Sequence, residues 1–241
     1  MAPDMRGYNT SDKPEGVSEY EMGPLVEDIR GLMDALGEEK TILVAHDWGG
    51  VVAWAFAMRH PERLNRLVIL NAPHPVPYAR ALISDPEQRS ASQYTLLLRS
   101  SRAEEILSRN RFQWLQAAVF QGCMDPAVFS EEDRAAYIQA WSQPGALTGS
   151  LNYYRAAPML RVLENDASVD PADVPNVPSI PVPTLVIWGD GDTALTPRLL
   201  EGLETYVDNL TIRHIPEATH WVQQDAPERV NRYIRDFVTV R

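Results

Sequence analysis

The sequence predicts an α/β fold with a parallel sheet and a helical insertion, on three observations. First, short apolar runs rich in β-branched residues, TILVA at 41–45, RLVIL at 66–70 and TLVIW at 184–188, alternate with segments of helical period. Second, from about Tyr78 to Leu163 no strand-like run occurs and the composition is helical. Third, Pro171, Pro175, Pro178, Pro181 and Pro183 form a linker that can be neither helix nor central strand, so it marks the return to the core. The expected division is 1–77 for the first part of the core, 78–177 for a helical cap or lid, and 178–241 for the second part of the core.

The elements follow in order. Met22, Leu25, Val26, Ile29, Leu32, Met33 and Leu36 recur at helical spacing, and Gly37 is a good stop. After the strand at 41–45, residues 51–59 read as a helix closed by Pro61, and 66–70 as a second buried strand. Strand, helix and strand in this rhythm imply a right-handed βαβ unit. Helical stretches are expected at 93–98, 103–107, 112–120 and 135–141, with Ser130-Glu131-Glu132-Asp133 resembling a capping box. Past the linker come a strand at 184–188, a helix at 197–206 and a strand at 210–215. In the last helix Pro227 lies near the start, and Val230, Tyr233, Ile234 and Phe237 share one face.

Composition narrows the function. Twenty-two Lys and Arg against 33 Asp and Glu give a formal net charge of −11 over 241 residues. That argues against nucleic acid, whose phosphates need clustered cations, and against an anionic membrane surface. A single cysteine, Cys123, excludes an internal disulfide and a cysteine-based zinc cluster; with no nearby motif histidine it reads as a buried or incidental thiol. The longest apolar run, 51–58, is too short to span a bilayer, and the N-terminus carries no apolar signal segment. The expectation is a cytoplasmic, acidic protein, monomer or homodimer, needing no metal or other cofactor.

The strongest chemical signal is Ala45-His46-Asp47-Trp48-Gly49-Gly50, where a buried strand turns into a helix. Small residues two before and two after Asp47 permit the strained turn called a nucleophile elbow, which exposes the middle side chain at the carboxyl end of the sheet. It also aims the Trp48 backbone N–H at a developing negative charge. The plainer alternative is an Asp N-cap, which needs no small residues on both sides. Asp192, in Gly189-Asp190-Gly191-Asp192, follows the strand ending at Trp188. His220, in Ala218-Thr219-His220-Trp221, follows the strand ending at Ile215. Nucleophile, acid and histidine, each after a strand, is the triad order of α/β hydrolases. Of the other histidines, His46 reads as packing and hydrogen-bonding support beside the elbow, and His74 as shaping the connection into the insertion. His60 ends a helix, and His214 alternates within a strand as an exposed or structural residue.

The insertion holds Tyr94, Trp114, Tyr137, Trp141, Tyr153 and Tyr154. Such amphipathic aromatics suit a lid over an apolar pocket, or simply fill the insertion's own core. Spacing says only that one of the adjacent Tyr153 and Tyr154 could face a pocket.

HDWGG at 46–50, Asn71-Ala72-Pro73-His74-Pro75, Ser92-Gln93-Tyr94 and Leu151-Asn152-Tyr153-Tyr154-Arg155 together resemble the epoxide hydrolase and haloalkane dehalogenase group of α/β hydrolases, closest to the epoxide hydrolases. The resemblance covers nearly the whole chain. It implies an α/β-hydrolase fold, a mostly parallel sheet flanked by helices with a helical lid inserted. It also implies a core shortened at its N-terminus, because the family's His-Gly-x-Pro loop, which supplies a second oxyanion donor, has no counterpart here. By resemblance Asp47, Asp192 and His220 are the triad, Tyr94 and Tyr154 the oxirane-binding pair, and Trp48, His46 and Trp221 the oxyanion and substrate-pocket residues. The implied partners are a small apolar epoxide and water.

The chemistry agrees with the residue types. A carboxylate attacks saturated carbon to give an alkyl-enzyme ester, whereas a serine at the elbow would suit acyl transfer. Epoxide opening leaves an alkoxide that needs proton donors, and phenols supply them at neutral pH. Haloalkane dehalogenase is the rival reading, sharing the triad and offering the Trp48 indole to halide. A ligand-binding module without turnover is the reading from another class. Diol from styrene oxide, against bromide from a bromoalkane, separates the first two.

Overall fold

The computed structural model describes residues 1–164, 174 and 176–239. Strands β1 (Thr41–His46), β2 (Leu64–Leu70), β3 (Thr184–Gly189) and β4 (Leu210–Ile215) lie side by side in that order, every pair parallel. Helix α1 (Met22–Ala35) precedes β1, and α2 (Asp47–Arg59) crosses from β1 to β2. After β2, the described residues up to Leu163 are helical or loop: α3 (Pro75–Ser84), α4 (Pro86–Ala91), α5 (Tyr94–Arg99), α6 (Ala103–Phe120), α7 (Glu131–Trp141) and α8 (Ala146–Ala156). Helices α9 (Val222–Asp225) and α10 (Pro227–Thr239) follow β4. Pro171 and Pro175 of the linker lie outside the described residues.

Both faces of the central strands are buried, which is why these runs are continuously apolar rather than alternating. Leu67, Ile69, Val186 and Trp188 join one cluster with Val52, Trp54 and Phe56 of α2. Val68, Leu70, Leu185 and Ile187 join another with Val222, Val230 and the α10 face Tyr233, Ile234 and Phe237. The period of two divides each strand between the clusters. β1 forms an edge, with Ile42 and Val44 exposed at 40% and 46%. Helix α2 comes very close to the chain leaving β2, since a Cβ on Gly50 would stand 2.3 Å from the Ala72 Cβ.

Two expectations change. Helix α2 begins at Asp47, four residues before the apolar run. The helix expected at 197–206 is instead two short 3-10 turns, Pro197–Leu200 and Leu203–Thr205, parted by Gly202 at φ 75°. A glycine in that left-handed region ends helical propagation. Inside α6 the backbone leaves the helical region at Arg109–Phe112, so its two halves correspond to the two stretches read from the sequence. Ser130 and Asp133 cap α7 reciprocally, as their spacing suggested.

Candidate active site

All four strands end at one edge of the sheet, and a polar residue of the site follows each: Asp47 after β1, Asn71 after β2, Asp192 after β3 and His220 after β4. Carboxyl ends of parallel strands are where α/β sites assemble.

His46 is extended (φ −128°, ψ 151°), and Asp47 then turns into the left-handed region at φ 50°. The chain reverses sharply there and presents the Asp47 side chain instead of using it as a cap. His46 occupies the N-cap position and makes no side-chain capping bond. The side chain of Asp47 is open to the cavity above it, at 42% exposure.

His220 joins the two carboxylates. Its Nε2 lies 3.3 Å from Asp47 Oδ1, and its Nδ1 2.8 Å from Asp192 Oδ2. Asp192 is wholly buried and accepts three further hydrogen bonds: Asn71 Nδ2 at 2.9 Å on Oδ2, and the Ala194 and Leu195 N–H groups at 2.8 and 2.9 Å on Oδ1. Such a ring of donors allows a charge to stay buried. Burial alone pulls the His220 imidazole down, but hydrogen bonds and charge from Asp192 and Asp47 outweigh it and push its pKa up to about 10. Burial likewise pushes Asp47 up, yet the His220 hydrogen bond and charge, with help from the Trp48 backbone N–H, bring it down to about 2. The resting pair is therefore imidazolium and carboxylate.

Asn71 is a member of the site that sequence reasoning missed. Besides Asp192 it ties β3, donating to the Gly189 carbonyl at 3.2 Å and accepting the Gly189 N–H at 2.8 Å. The available signal was a polar residue directly after the continuously apolar end, 67–70, of a strand. Gly189 itself must be small, since a Cβ there would fall 2.2 Å from the Thr219 carbonyl oxygen. The acid loop and the His220 loop pack together through it.

A cavity of about 50 Å³ opens above Asp47, lined by Trp48, Tyr78, Tyr94, Tyr154 and Leu195 among others. The Tyr94 and Tyr154 ring centres are 6.5 Å apart at an interplanar angle of 76°. Burial raises both phenols well above their usual pKa near 10; Tyr94 is pushed further by Tyr154, and Tyr154 by Asp47. Both are O–H donors. The Trp48 and Tyr154 rings meet edge to face at 5.1 Å. The neighbouring Tyr153 points elsewhere: it is buried against Tyr8, Tyr20 and Trp48, and donates its hydroxyl to the Arg6 carbonyl at 2.8 Å. Trp114 packs with Leu98, Leu107 and Leu151, while Tyr137 and Trp141 surround Phe120. The aromatics of the insertion thus divide between cavity and core. Tyr78, a third phenol on the cavity wall, went unnoticed in the sequence. Burial pushes its pKa up to about 12, and its hydroxyl lies 3.1 Å from Ser92 Oγ.

Arg99, at the end of α5, reaches across to the Tyr154 and Ala157 carbonyls at the end of α8 and pairs with Glu164 at 2.6 Å. Arg155 meanwhile clasps Glu104 of α6 through both guanidinium branches at 2.7 Å. These contacts bind the helices that carry the two phenols.

His46 and Trp221 are not on the cavity wall, contrary to expectation. His46 Nε2 faces the His220 carbonyl at 2.8 Å, so that nitrogen carries the proton, and Nδ1 accepts from Gln223 Nε2 at 3.3 Å. Burial lowers its pKa to about 4, which keeps it neutral. Trp221 is drawn away toward the insertion, where its indole donates to the Ala118 carbonyl at 3.2 Å and its ring joins the Val119 and Phe120 cluster. It packs edge-on to His220 at 5.3 Å. Both residues stand behind His220. Of the remaining histidines, His74 is the N-cap of α3, accepting the Val76 N–H, and His214 pairs with Asp190 at 2.7 Å. Among the described residues no group of three or more His, Cys, Asp or Glu could hold a metal ion, and no helix is long and apolar enough to cross a membrane.

This strand-end geometry is that of an α/β enzyme. The chain belongs to the alpha/beta hydrolase fold family, whose model matches residues 1–227. It is 37% identical over 249 residues to Epoxide hydrolase 2 of Caenorhabditis elegans, an alignment covering 99% of this chain and 65% of that protein. It is also 37% identical over 240 residues to the AB hydrolase superfamily protein YfhM of Bacillus subtilis, covering 99% of this chain and 79% of that one. Among solved structures, the epoxide hydrolase of Bacillus megaterium in complex with an inhibitor superposes with a TM-score of 0.88 at 32% identity, covering 98% of this chain and 82% of that one. The chain spans just under two thirds of the length of the Caenorhabditis elegans relative.

Proposed function

We propose that this chain carries an epoxide hydrolase site, opening a small apolar epoxide to a vicinal diol through an ester on Asp47. The observation that carries the reading is one cavity with a charged carboxylate on its wall and two protonated phenols, Tyr94 and Tyr154, lining it. In this reading the 78–177 segment is the lid. The relatives named epoxide hydrolases support the same reaction class.

The charge state gives the steps. An Asp47 oxygen attacks a ring carbon, the C–O bond breaks, and the ring oxygen takes a proton from a phenol. The phenolate is reprotonated at the expense of the His220 imidazolium. Once esterified, Asp47 has lost its charge, so His220 keeps only Asp192 as an anionic neighbour and its pKa falls. Neutral His220 then takes a proton from water, and the hydroxide attacks the ester carbonyl. The Trp48 backbone N–H, next to Asp47 at the turn, stabilises the oxyanion. As the ester C–O bond breaks, the alcohol takes the second water proton, restoring Asp47 carboxylate and His220 imidazolium. Alkylation of the nucleophile is itself what turns the histidine into a base. Neither step calls for a metal or organic cofactor.

Haloalkane dehalogenation would use the Trp48 indole N–H as a halide donor. The two phenols on the cavity wall beside Asp47, Tyr94 and Tyr154, favour epoxide opening. The test is intact-mass analysis with styrene oxide. Wild type yields diol, His220→Gln accumulates an adduct on Asp47, and Asp47→Asn forms neither. Bromide release from a bromoalkane without diol from the epoxide overturns the reading in favour of dehalogenation. Binding of the epoxide with neither product nor adduct overturns it in favour of a ligand-binding module.

A further inference from the structure

Gln88 lies on α4, in the helical insertion, and is completely buried. All four hydrogen-bonding positions of its amide are used. Nε2 donates to the Ala194 carbonyl at 2.8 Å and to Ser92 Oγ at 2.9 Å. Oε1 accepts the Thr196 N–H at 2.9 Å and the Thr196 hydroxyl at 3.1 Å. A flipped amide would set an NH2 group against the Thr196 N–H, so this orientation is the only satisfied one. Ala194 and Leu195 in turn donate their N–H groups to Asp192 Oδ1. The amide therefore closes the turn 194–196 that cradles the Asp192 carboxylate, reaching it from a different part of the fold. Ser92, on the other side, leads to the Tyr78 hydroxyl on the cavity wall.

We propose that Gln88 is a positioning residue: through it the helical insertion sets the Asp192 carboxylate against His220. The inference rests on the proposed function for its kinetic part, and on geometry alone for its link to His220. A backbone turn held by one side-chain amide at its carbonyl and its next N–H but one has little freedom to rotate. The Asp192 oxygens are then aimed before substrate arrives. Without the amide, the Ala194 carbonyl and Thr196 N–H are buried and unpartnered, and the turn relaxes toward whatever acceptor or water it can find.

The consequence is specific to one half of the reaction. Ester formation uses Asp47 and the phenols; ester breakdown uses His220 as a base, which needs Asp192 in place. Gln88→Met preserves length and volume and removes all four hydrogen bonds. It is expected to slow ester breakdown by about tenfold to a hundredfold, as loss of an orienting partner behind a functional imidazole does. Ester formation stays near the wild-type rate, so the Asp47 adduct accumulates in single-turnover mass analysis. The low-field proton resonance of the His220 Nδ1–H shifts or broadens.

Gln88→Asn keeps the amide but withdraws it by one methylene, out of reach of the turn. It is expected to behave like Gln88→Met, and it serves as the test if Gln88→Met does not fold. The proposal is overturned if the folded variants keep the wild-type His220 resonance, or if formation and breakdown slow equally, the mark of a structural role. Should wild type form no ester from any epoxide, the functional reading fails by itself, and the His220 resonance still decides the role of Gln88.

Discussion

Asn71 and His220 share one oxygen of the Asp192 carboxylate, Oδ2, at 2.9 and 2.8 Å. The arrangement leaves that oxygen with no vacancy for water and fixes the direction from which the imidazole is met. Replacing Asn71 by Ala removes the donor to Asp192 and leaves the Gly189 N–H without its acceptor. The expected loss is about 1–3 kcal/mol of stability in chemical denaturation, because buried groups are left unpaired. Single-turnover measurements are expected to slow at ester breakdown more than at ester formation.

The pairing of His220 with Asp47 gives a pH prediction. The folded His220 pKa, about 10, lies above its usual 6.5. Its contribution to stability is complete below pH 6.5 and is lost as pH rises through about 10. Asp47 works in the opposite direction: with a folded pKa of about 2 against 3.8, its contribution is present above 3.8 and lost as pH falls through about 2. Asp47→Asn removes one of the two charges facing the imidazole, so the His220 pKa is expected to fall by about one to three pH units in an NMR titration. An unmoved titration would contradict the histidine switch that alkylation is proposed to operate.

The adjacent tyrosines of α8 separate proton donation from packing. Tyr154→Phe or Tyr94→Phe is expected to slow ring opening by about a hundredfold, the lower end for a positioned acid. Tyr153→Phe keeps the wild-type rate and costs about 1 kcal/mol of stability through the lost hydrogen bond to the Arg6 carbonyl. Equal rate losses for Tyr153→Phe and Tyr154→Phe would refute the assignment of Tyr154 to the cavity.

His46→Phe keeps an aromatic ring beside Trp221 and removes both the donor to the His220 carbonyl and the acceptor for Gln223. A slower ester breakdown is expected with an unchanged pH profile, because His46 is neutral across the working range. A profile that moves with the substitution would give His46 a titrating part instead.

The grouping of Asp47, Asp192 and His220 at the strand ends was legible in the sequence because the signal for each is local. Asp47 sits between small residues at a strand end, and Asp192 and His220 each follow a run that reads as a strand. Gln88, Gln223 and Tyr78 were not legible, since each works through a contact with chain distant in sequence. Gln88 meets Thr196, and Gln223 meets His46, only after folding. Trp221 misled for the same reason: proximity to His220 in sequence said nothing of the Ala118 carbonyl that draws the indole away. At 197–206 the apolar spacing was helical, but the left-handed Gly202 broke it into two turns.

Helix α5 both carries Tyr94 and, through Arg99, grips the carbonyl of Tyr154. The span between the two phenols is therefore set within the insertion, like callipers locked at one opening. Changes in the residues that seat the insertion on the sheet alter how far this tool stands from Asp47 without altering its bite. In the proposed reading, pocket depth could then be tuned to larger or smaller epoxides while the spacing of the two phenols stays the same.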